Sequence, residues 1–429
     1  MDKLKPNHYY QSKERYIIMK NKPTKIERSW ILYDIGNSAF ILLVTTIMPI
    51  YFKHLAGNAG ISNTDYMAYW GYTASIATAS VAFLGPIIGA ISDRNHYKKP
   101  LFFLCVIIGV IGCSLLGVFP SWISFLAIFV CTRVSYSLSL ILYDSMLPDV
   151  TSFEKMDSIS SKGFAWGYVG SCVPFLVILT LVLNHKSISI SFPFAIFLAF
   201  VITAFWWLLF SIPLLRNYRQ IHADSDNQNG MFRSFRQLAH TLKEITKHHD
   251  IFLFLLAYFF YIDGVYTIID MATVYGESVG LHTSGLLLAL LLTQIIAFPF
   301  ALLFGRLSKA FATERLITIC IIAYTGIALF AIQLNQQWEF WLLAICVGIF
   351  QGGIQALSRS YFAKIIPAEK SGEYFGILDI FGKGASFIGT GLVGYITQLT
   401  GSSGAGVSVI TVLMVLGLIF FRISIRQKQ

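Results

Sequence analysis

The sequence predicts an all-α integral membrane protein: twelve transmembrane helices in two six-helix halves, with both chain ends on the cytoplasmic side. Three observations predict it. The 429 residues are 55% hydrophobic and only 13% charged, with a mean hydropathy of +0.66, whereas a soluble domain carries about 25% charged residues. The apolar residues fall into twelve runs, each close to the ~20 residues that a helix needs to cross a bilayer. Lysine and arginine segregate to one side of the topology that those runs define.

The runs are 30–52, 66–92, 100–119, 122–147, 160–184, 192–215, 250–276, 283–305, 314–332, 338–364, 372–398 and 402–421. Lipid offers no partners to backbone N–H and C=O groups, so each run is a helix. Before the first lies a basic tail, 1–29, without the apolar core or small-residue cleavage site of a signal peptide. Only "FPSW" parts the third run from the fourth, and "TGSSG" the eleventh from the twelfth. The longest loop, 216–249, follows the sixth run. Its "RNYRQIHADSDNQNG" reads as a polar linker, and its "SFRQLAHTLKEITKHH" as an amphipathic helix lying on the membrane surface. The division is therefore an N-terminal half, 30–215, a C-terminal half, 250–421, and a second basic tail, 422–429.

Twelve crossings place both chain ends on one side. That side receives 27 of the 32 lysines and arginines, the opposite side only Lys53 and Lys186, and three (Arg133, Arg359, Lys383) lie within spans. Positive charge is retained on the cytoplasmic side of membranes, so both ends are expected there. The same split explains the net charge of +10 without nucleic-acid binding.

The halves repeat. "LPDVTSFEKMDSISSKGFAWGYVG" follows span 4 and "IPAEKSGEYFGILDIFGKGASFIG" follows span 10; at one offset Pro148 meets Pro367, Gly163 meets Gly382 and Gly170 meets Gly389. Two six-helix halves of like orientation are the parallel-repeat plan of major facilitator transporters.

Charges inside a bilayer are costly and face a cavity or a partner. They occur at Asp34 in span 1, Arg133 and Asp144 in span 4, Asp263 and Asp270 in span 7, Arg359 in span 10, and Asp379 and Lys383 in span 11. Spans 3, 6, 9 and 12 have none in their apolar stretches. In the major facilitator plan, spans 1, 4, 7 and 10 line the central cavity and 11 flanks it, which accounts for this distribution. Asp263 lies about 13 residues into its span, near mid-membrane at about 1.5 Å per residue, and Asp270 shares its face. Within "YIDGVYTIID" the carboxylates alternate with Tyr261, Gly264, Tyr266 and Thr267. Asp263 reads either as a proton carrier coupled to substrate movement or as half of an ion pair with Arg133 or Lys383. Arg133, on a serine-rich face, holds a carboxylate of substrate or of protein. Asp379 and Lys383 stand four apart and pair with each other or serve the cavity. Gln351, Gln355 and Arg359 form a polar strip in span 10 that binds substrate or joins helices.

Asp34 is about five residues inside its span, where the helix N-terminus stabilises a carboxylate. With Asn37 and Ser38 at i+3 and i+4 it forms a small polar face, read as gate or structure. The loop "GPIIGAISDRNHYKKP" resembles the major facilitator motif G-x-x-x-D-R-x-G-R-R: Gly89, Asp93 and Arg94 match and Lys98 takes a basic position, while His96 replaces the second glycine and Tyr97 a basic residue. The corresponding second-half loop, "GRLSKAFATER", keeps Gly305 but has Lys309 at the aspartate position. The motif implies a charge latch that stabilises one conformation of the transport cycle.

No enzyme motif (GxSxG, HExxH, P-loop) appears. The nine histidines lie in tails, loops or helix ends, and the six cysteines in apolar runs without CxxC spacing. Neither catalysis, a metal nor a cofactor is expected.

"SWILYDIGNSAF", "YDSMLPDV", "SKGFAWGYVGS", "FLLAYFFYIDGVYTIIDMATVYG" and "GGIQALSRSYFAKIIPAEKSGEYFGILDIFGKG" together resemble the "unknown major facilitator" family, which includes autophagy-related vacuolar amino-acid effluxers. The resemblance runs from Ser29 over essentially the whole chain. Tyr33, Asp34, Asn37 and Ser38 match its first-helix motif; Asp263, Gly264 and Thr267 match its seventh. Gln355, Ser358, Arg359, Pro367, Gly376 and Lys383 match its helix 10–11 block. Ile35 and Gly36 stand where the family commonly has tryptophan and alanine, and Asp144 adds a charge where it has asparagine.

The sequence thus implies a single-subunit transporter in the cell membrane that moves a small solute by alternating access, driven by protons, with efflux of amino acids or small metabolites implied by the family. Asp263, Asp270, Arg133, Gln351, Gln355, Arg359 and Lys383 are expected to serve substrate and proton, and Tyr33, Asp34, Asn37, Ser38, Asp93, Arg94 and Asp144 the cytoplasmic gate. The alternatives are export of amphipathic drugs or lipids, suggested by the 15% aromatic content, and a non-transporting sensor or scaffold.

Overall fold

The computed structural model describes residues 23–224, 241, 243–278 and 283–427. Twelve long helices account for most of it: α1 Lys25–Asn58, α2 Asn63–Ser92, α3 Lys98–Leu115, α4 Trp122–Ser145, α5 Met156–Leu183, α6 Phe192–Asn217, α7 His249–Ser278, α8 Thr283–Leu307, α9 Thr313–Ala331, α10 Gln337–Ile365, α11 Ser371–Thr400 and α12 Ser403–Gln427. All twelve are long and apolar enough to cross a membrane. Half of the surface helix expected over 234–249, namely 234–240 and 242, falls outside the described residues.

Local chemistry sets the helix ends. α1 begins five residues before its apolar run because Thr24 and Glu27 close a capping box: Thr24 Oγ1 accepts the Glu27 N–H at 3.2 Å, and Glu27 Oε2 accepts the Thr24 N–H at 2.6 Å. Glu27 Oε1 also accepts the Thr151 hydroxyl at 2.7 Å, which fixes the start of α1 to the corner after α4. The turn between α11 and α12 is made by Gly401, left-handed at φ 67°. α12 continues to Gln427, through most of the expected tail.

In the first six spans α1 packs between α5 and α6; in the last six α7 packs against α12 and α11. Two helix pairs, α2 with α11 and α5 with α8, run together across the boundary between the halves. Large apolar side chains such as Ile76, Phe83, Ile108, Phe205, Leu288 and Val412 stand exposed on the outside, a surface suited to lipid rather than water.

The internal repeat is visible in side chains as well as topology. Tyr33 of α1 meets Ser139 of α4 at 2.7 Å, and Tyr261 of α7 meets Ser358 of α10 at 2.7 Å. Each half also has a one-turn 3-10 helix, Phe153–Lys155 and Ala368–Lys370, immediately before its fifth span.

Candidate functional site

The end of the bundle where α1 starts and α12 finishes, here the terminal end, is closed by a buried guanidinium. Arg359 of α10 donates from Nη1 to Asp144 Oδ1 at 2.9 Å, from Nε to Ser160 Oγ at 2.9 Å, and from Nη2 to the Ser160 carbonyl at 3.0 Å and Asp34 Oδ2 at 3.3 Å. Its plane lies between aromatic faces, 4.6 Å from the Trp30 ring centre and 4.2 Å from that of Phe164. One side chain of the second half thus ties together α1, α4 and α5. Asp34 is held further by the Tyr143 hydroxyl at 2.7 Å and by Asn37 Nδ2 at 3.3 Å. This close approach needs Gly163 on α5, where a Cβ would strike the Asp34 carboxylate and crowd the guanidinium. Arg359, grouped with the substrate residues on sequence, thus sits beside Asp34 and Asp144, which the sequence assigned to the gate. Tyr33 and Asn37 back it from α1, Asn37 Nδ2 also donating to the Tyr33 carbonyl at 3.0 Å. Ser38 is half-buried one turn deeper, against Gly167 of α5.

The latch expected at Asp93 has a defined partner. Asp93 caps the start of α11, its Oδ1 accepting the Gly372 N–H at 2.8 Å and its Oδ2 the Glu373 N–H at 2.9 Å. Fully buried Lys98 lies 3.4 Å from Asp93 Oδ1 and donates to Ser371 Oγ at 2.9 Å. Burial pushes the Asp93 carboxyl up to about 6, against the lowering effect of the Lys98 ammonium and the two N–H groups. The loop keeps its tight turn despite the lost glycine, because His96 itself adopts the left-handed conformation, φ 68°. Arg94 forms a backbone bridge with Asp224 beyond α6.

Farther from the terminal end lies a cluster of mixed charge. Asp379 and Lys383 of α11 pair at 2.6 Å, the intrahelical alternative read from their spacing. Arg133 and Asp144 are within electrostatic range of Lys383. Half-buried Arg133 lies 5.6 Å from the Tyr136 ring centre, and its Nη1 has no hydrogen-bond partner among the described residues. Gln355 accepts the Tyr168 hydroxyl at 2.8 Å across the halves. Gln351 is buried and borders a small apolar crevice between α7, α8 and α10, formed largely by Ile268, Ile269, Leu290, Phe340 and Val347. Asp270 is exposed, farther from the terminal end.

Asp263 is separate from all of these. It is fully buried between α7 and α11, and accepts the Thr267 hydroxyl at 3.1 Å. A Cβ on Gly389 of α11 would collide with its carboxylate. Among the described residues it forms no ion pair, with Arg133, Lys383 or any other cation. Nor does Asp263 Oδ2 have a hydrogen-bond partner among these residues.

Sequence reasoning missed Asp157, at the start of α5. It accepts Lys364 Nζ at 2.6 Å, Ser360 Oγ at 2.6 Å and Thr313 Oγ1 at 2.7 Å. It also missed Ser160, Trp30 and Phe164 around Arg359. These residues lie in helix ends read as loop or in apolar runs. A pairing across 207 residues, as between Asp157 and Lys364, leaves no periodic trace.

Compared with known proteins, residues 23–429 match the profile of the vacuole effluxer Atg22-like family. The chain is 40% identical over 406 residues to the uncharacterised MFS-type transporter YxiO of Bacillus subtilis, covering 94% of this chain and 95% of that one. It is 24% identical to autophagy-related protein 22 of Eremothecium gossypii, covering 86% and 85%. Among solved structures it resembles the E. coli fucose:proton symporter (TM-score 0.70, 14% identity, 93% of this chain and 97% of that). It also resembles a bacterial homologue of the iron transporter ferroportin in an outward-facing state (TM-score 0.67, 14% identity, 93% and 98%). At that identity these two likenesses speak to the fold alone.

Proposed function

The chain belongs to the Atg22-like family, and from that premise we propose that it is a proton-coupled exporter of small zwitterionic solutes, amino acids foremost, working by alternating access. The coarser statement stands on the family and the fold: it is a multi-pass membrane transporter of major facilitator type, not an enzyme.

The observation that carries the finer reading is the Arg133 guanidinium. Its Nη1 has no hydrogen-bond partner among the described residues, and Asp144, Asp379 and Lys383 stand in the same region. A solute with a carboxylate and an ammonium satisfies both signs at once, with Arg133 offering a bidentate fork to the carboxylate. Gln351, Gln355 and Asp270 border the same route. Alternation is supported by the way closure is built. Arg359, Asp34 and Asp144 on one hand, and Asp93 on the other, hold the halves together at the terminal end through contacts that separate as units. Proton coupling is assigned to Asp263, a carboxylate with no cation beside it in a helix that borders the cavity.

We further place both chain ends in the cytoplasm, on the strength of the 27-to-2 charge split, and the protein in the cell membrane as a monomer. The halves are assigned to 30–215 and 250–421, joined by the linker 216–249.

The apolar crevice beside Gln351 favours one rival, export of amphipathic drugs or lipids. Purified protein in liposomes distinguishes the two. Amino acids that stabilise the protein thermally and exchange for protons support the proposal. Transport of amphipathic cations with no response to amino acids overturns it, and absence of any flux favours a sensor or scaffold.

A further inference from the structure

We infer that Asp157 and Lys364 form a second charge latch between the halves, replacing the aspartate that the end of α8 lacks. The inference rests on the alternating-access reading above and adds to it a second pair of positioning residues.

Two helix pairs, α2 with α11 and α5 with α8, make the most extensive contacts across the boundary between the halves. At the first, Gly89 of α2 abuts the backbone of Gly372 at the start of α11, and Asp93, four residues on, caps that start. At the second, Gly305 of α8 abuts Ser158 and Ser161 at the start of α5. The matching position four residues on is Lys309, whose ammonium has no acceptor for the N–H groups of a helix start. The carboxylate at this second boundary comes from the opposite helix. Asp157, in the first turn of α5 and buried, takes one hydrogen bond from each of Thr313 at the start of α9, Ser360 of α10 and Lys364 of α10. All three donors belong to the second half, and the ion pair is largely shielded from solvent, with side-chain exposures of 13% and 5%.

This arrangement meets the physical requirement of a latch. Parting α5 from α9 and α10 breaks all three bonds together, and each freed charge then needs water or a new partner. The contact therefore favours the closed terminal end while leaving the packing within each half untouched. With Asp93 it places one buried carboxylate on α2, bonded to the start of α11, and one on α5, bonded to α9 and α10.

Distances between spin labels across the terminal end test this. Labels on Glu154→Cys and Ala310→Cys, both at exposed positions, are placed in a Cys131→Ser background. D157N and K364M are each expected to move the population from short to long distance by roughly fivefold or more. The exchanged pair D157K/K364D is expected to restore the original distribution, which a general loss of packing would not do. T313V, which removes one hydrogen bond and no charge, gives a smaller shift in the same direction if D157N fails to fold. A folded D157N or T313V with an unaltered distribution overturns the latch. A single distance in the unmodified protein, at acid and neutral pH and with or without amino acids, overturns the alternating-access reading and the latch with it.

Discussion

Arg359 Nη2 and Asp34 Oδ2 lie 3.3 Å apart although 325 residues separate them in the chain, and this contact organises the closed terminal end. The guanidinium also holds Asp144 and Ser160, so three helices of the first half converge on one group of the second. Burying charges costs several kcal/mol per ion, recovered only when partners and geometry are complete. Such a cluster has no stable half-made form, a property suited to a gate that is either shut or open.

Replacing Arg359 by glutamine leaves Asp34 and Asp144 buried without their cation. Breaking a buried pair on one side costs about 3–5 kcal/mol, so the closed form is expected to lose most of its population. Flux in proteoliposomes should fall at least tenfold. R359K should recover little, because an ammonium cannot lie flat between Trp30 and Phe164 while reaching Asp34, Asp144 and Ser160. Wild-type flux in R359K would show that charge alone suffices.

Asp263→Asn keeps the shape of the side chain and its place beside Gly389 while removing the exchangeable proton. The expected result is a folded, inserted protein that equilibrates solute down its own gradient but no longer accumulates it against a pH gradient. Solute accumulation at the wild-type level in D263N would remove Asp263 from the coupling path.

Much of the architecture was legible in the sequence, because bilayer thickness imposes a length that hydropathy displays directly. Asp93 was legible too, since its spacing from Gly89 follows a local motif. What the sequence concealed was partnership. Nothing local in "ALSRSYF" shows that Arg359 pairs with Asp34 and Asp144, because both carboxylates are supplied by other helices. Asp157 was hidden more deeply, for it stands in a helix start that reads as loop and draws all its donors from the second half. The pairing of Asp379 with Lys383 was one of two readings open from spacing, and the structure contains it at 2.6 Å.

His96 adopts φ 68°, a conformation that costs a residue with a Cβ roughly 1–2 kcal/mol and costs glycine almost nothing. H96G is therefore expected to stabilise the protein by about 1 kcal/mol, seen as a rise of roughly 1–2 °C in the unfolding temperature. A β-branched substitution such as H96V should lower it. An unfolding temperature that falls in H96G would mean that the imidazole makes a contact outweighing the strain.

The Asp93 carboxyl gives the closed state a pH dependence of definite sign. Buried against α11 it titrates at about 6, and a hydrated aspartate such as an open loop provides titrates near 3.8. The closed form thus binds the proton more tightly. Its advantage is complete below the open-state value and fades as pH rises through about 6, a difference of roughly 3 kcal/mol in all. Acidifying the terminal side from neutral toward pH 4 should therefore shift spin-label distances across the terminal end toward the short population. In D93N that part of the response should vanish, since asparagine neither titrates nor pays the cost of burying a charge. A distance distribution that lengthens on acidification would show that the ion pair with Lys98 outweighs the desolvation of Asp93 and holds the carboxylate ionised in the closed state.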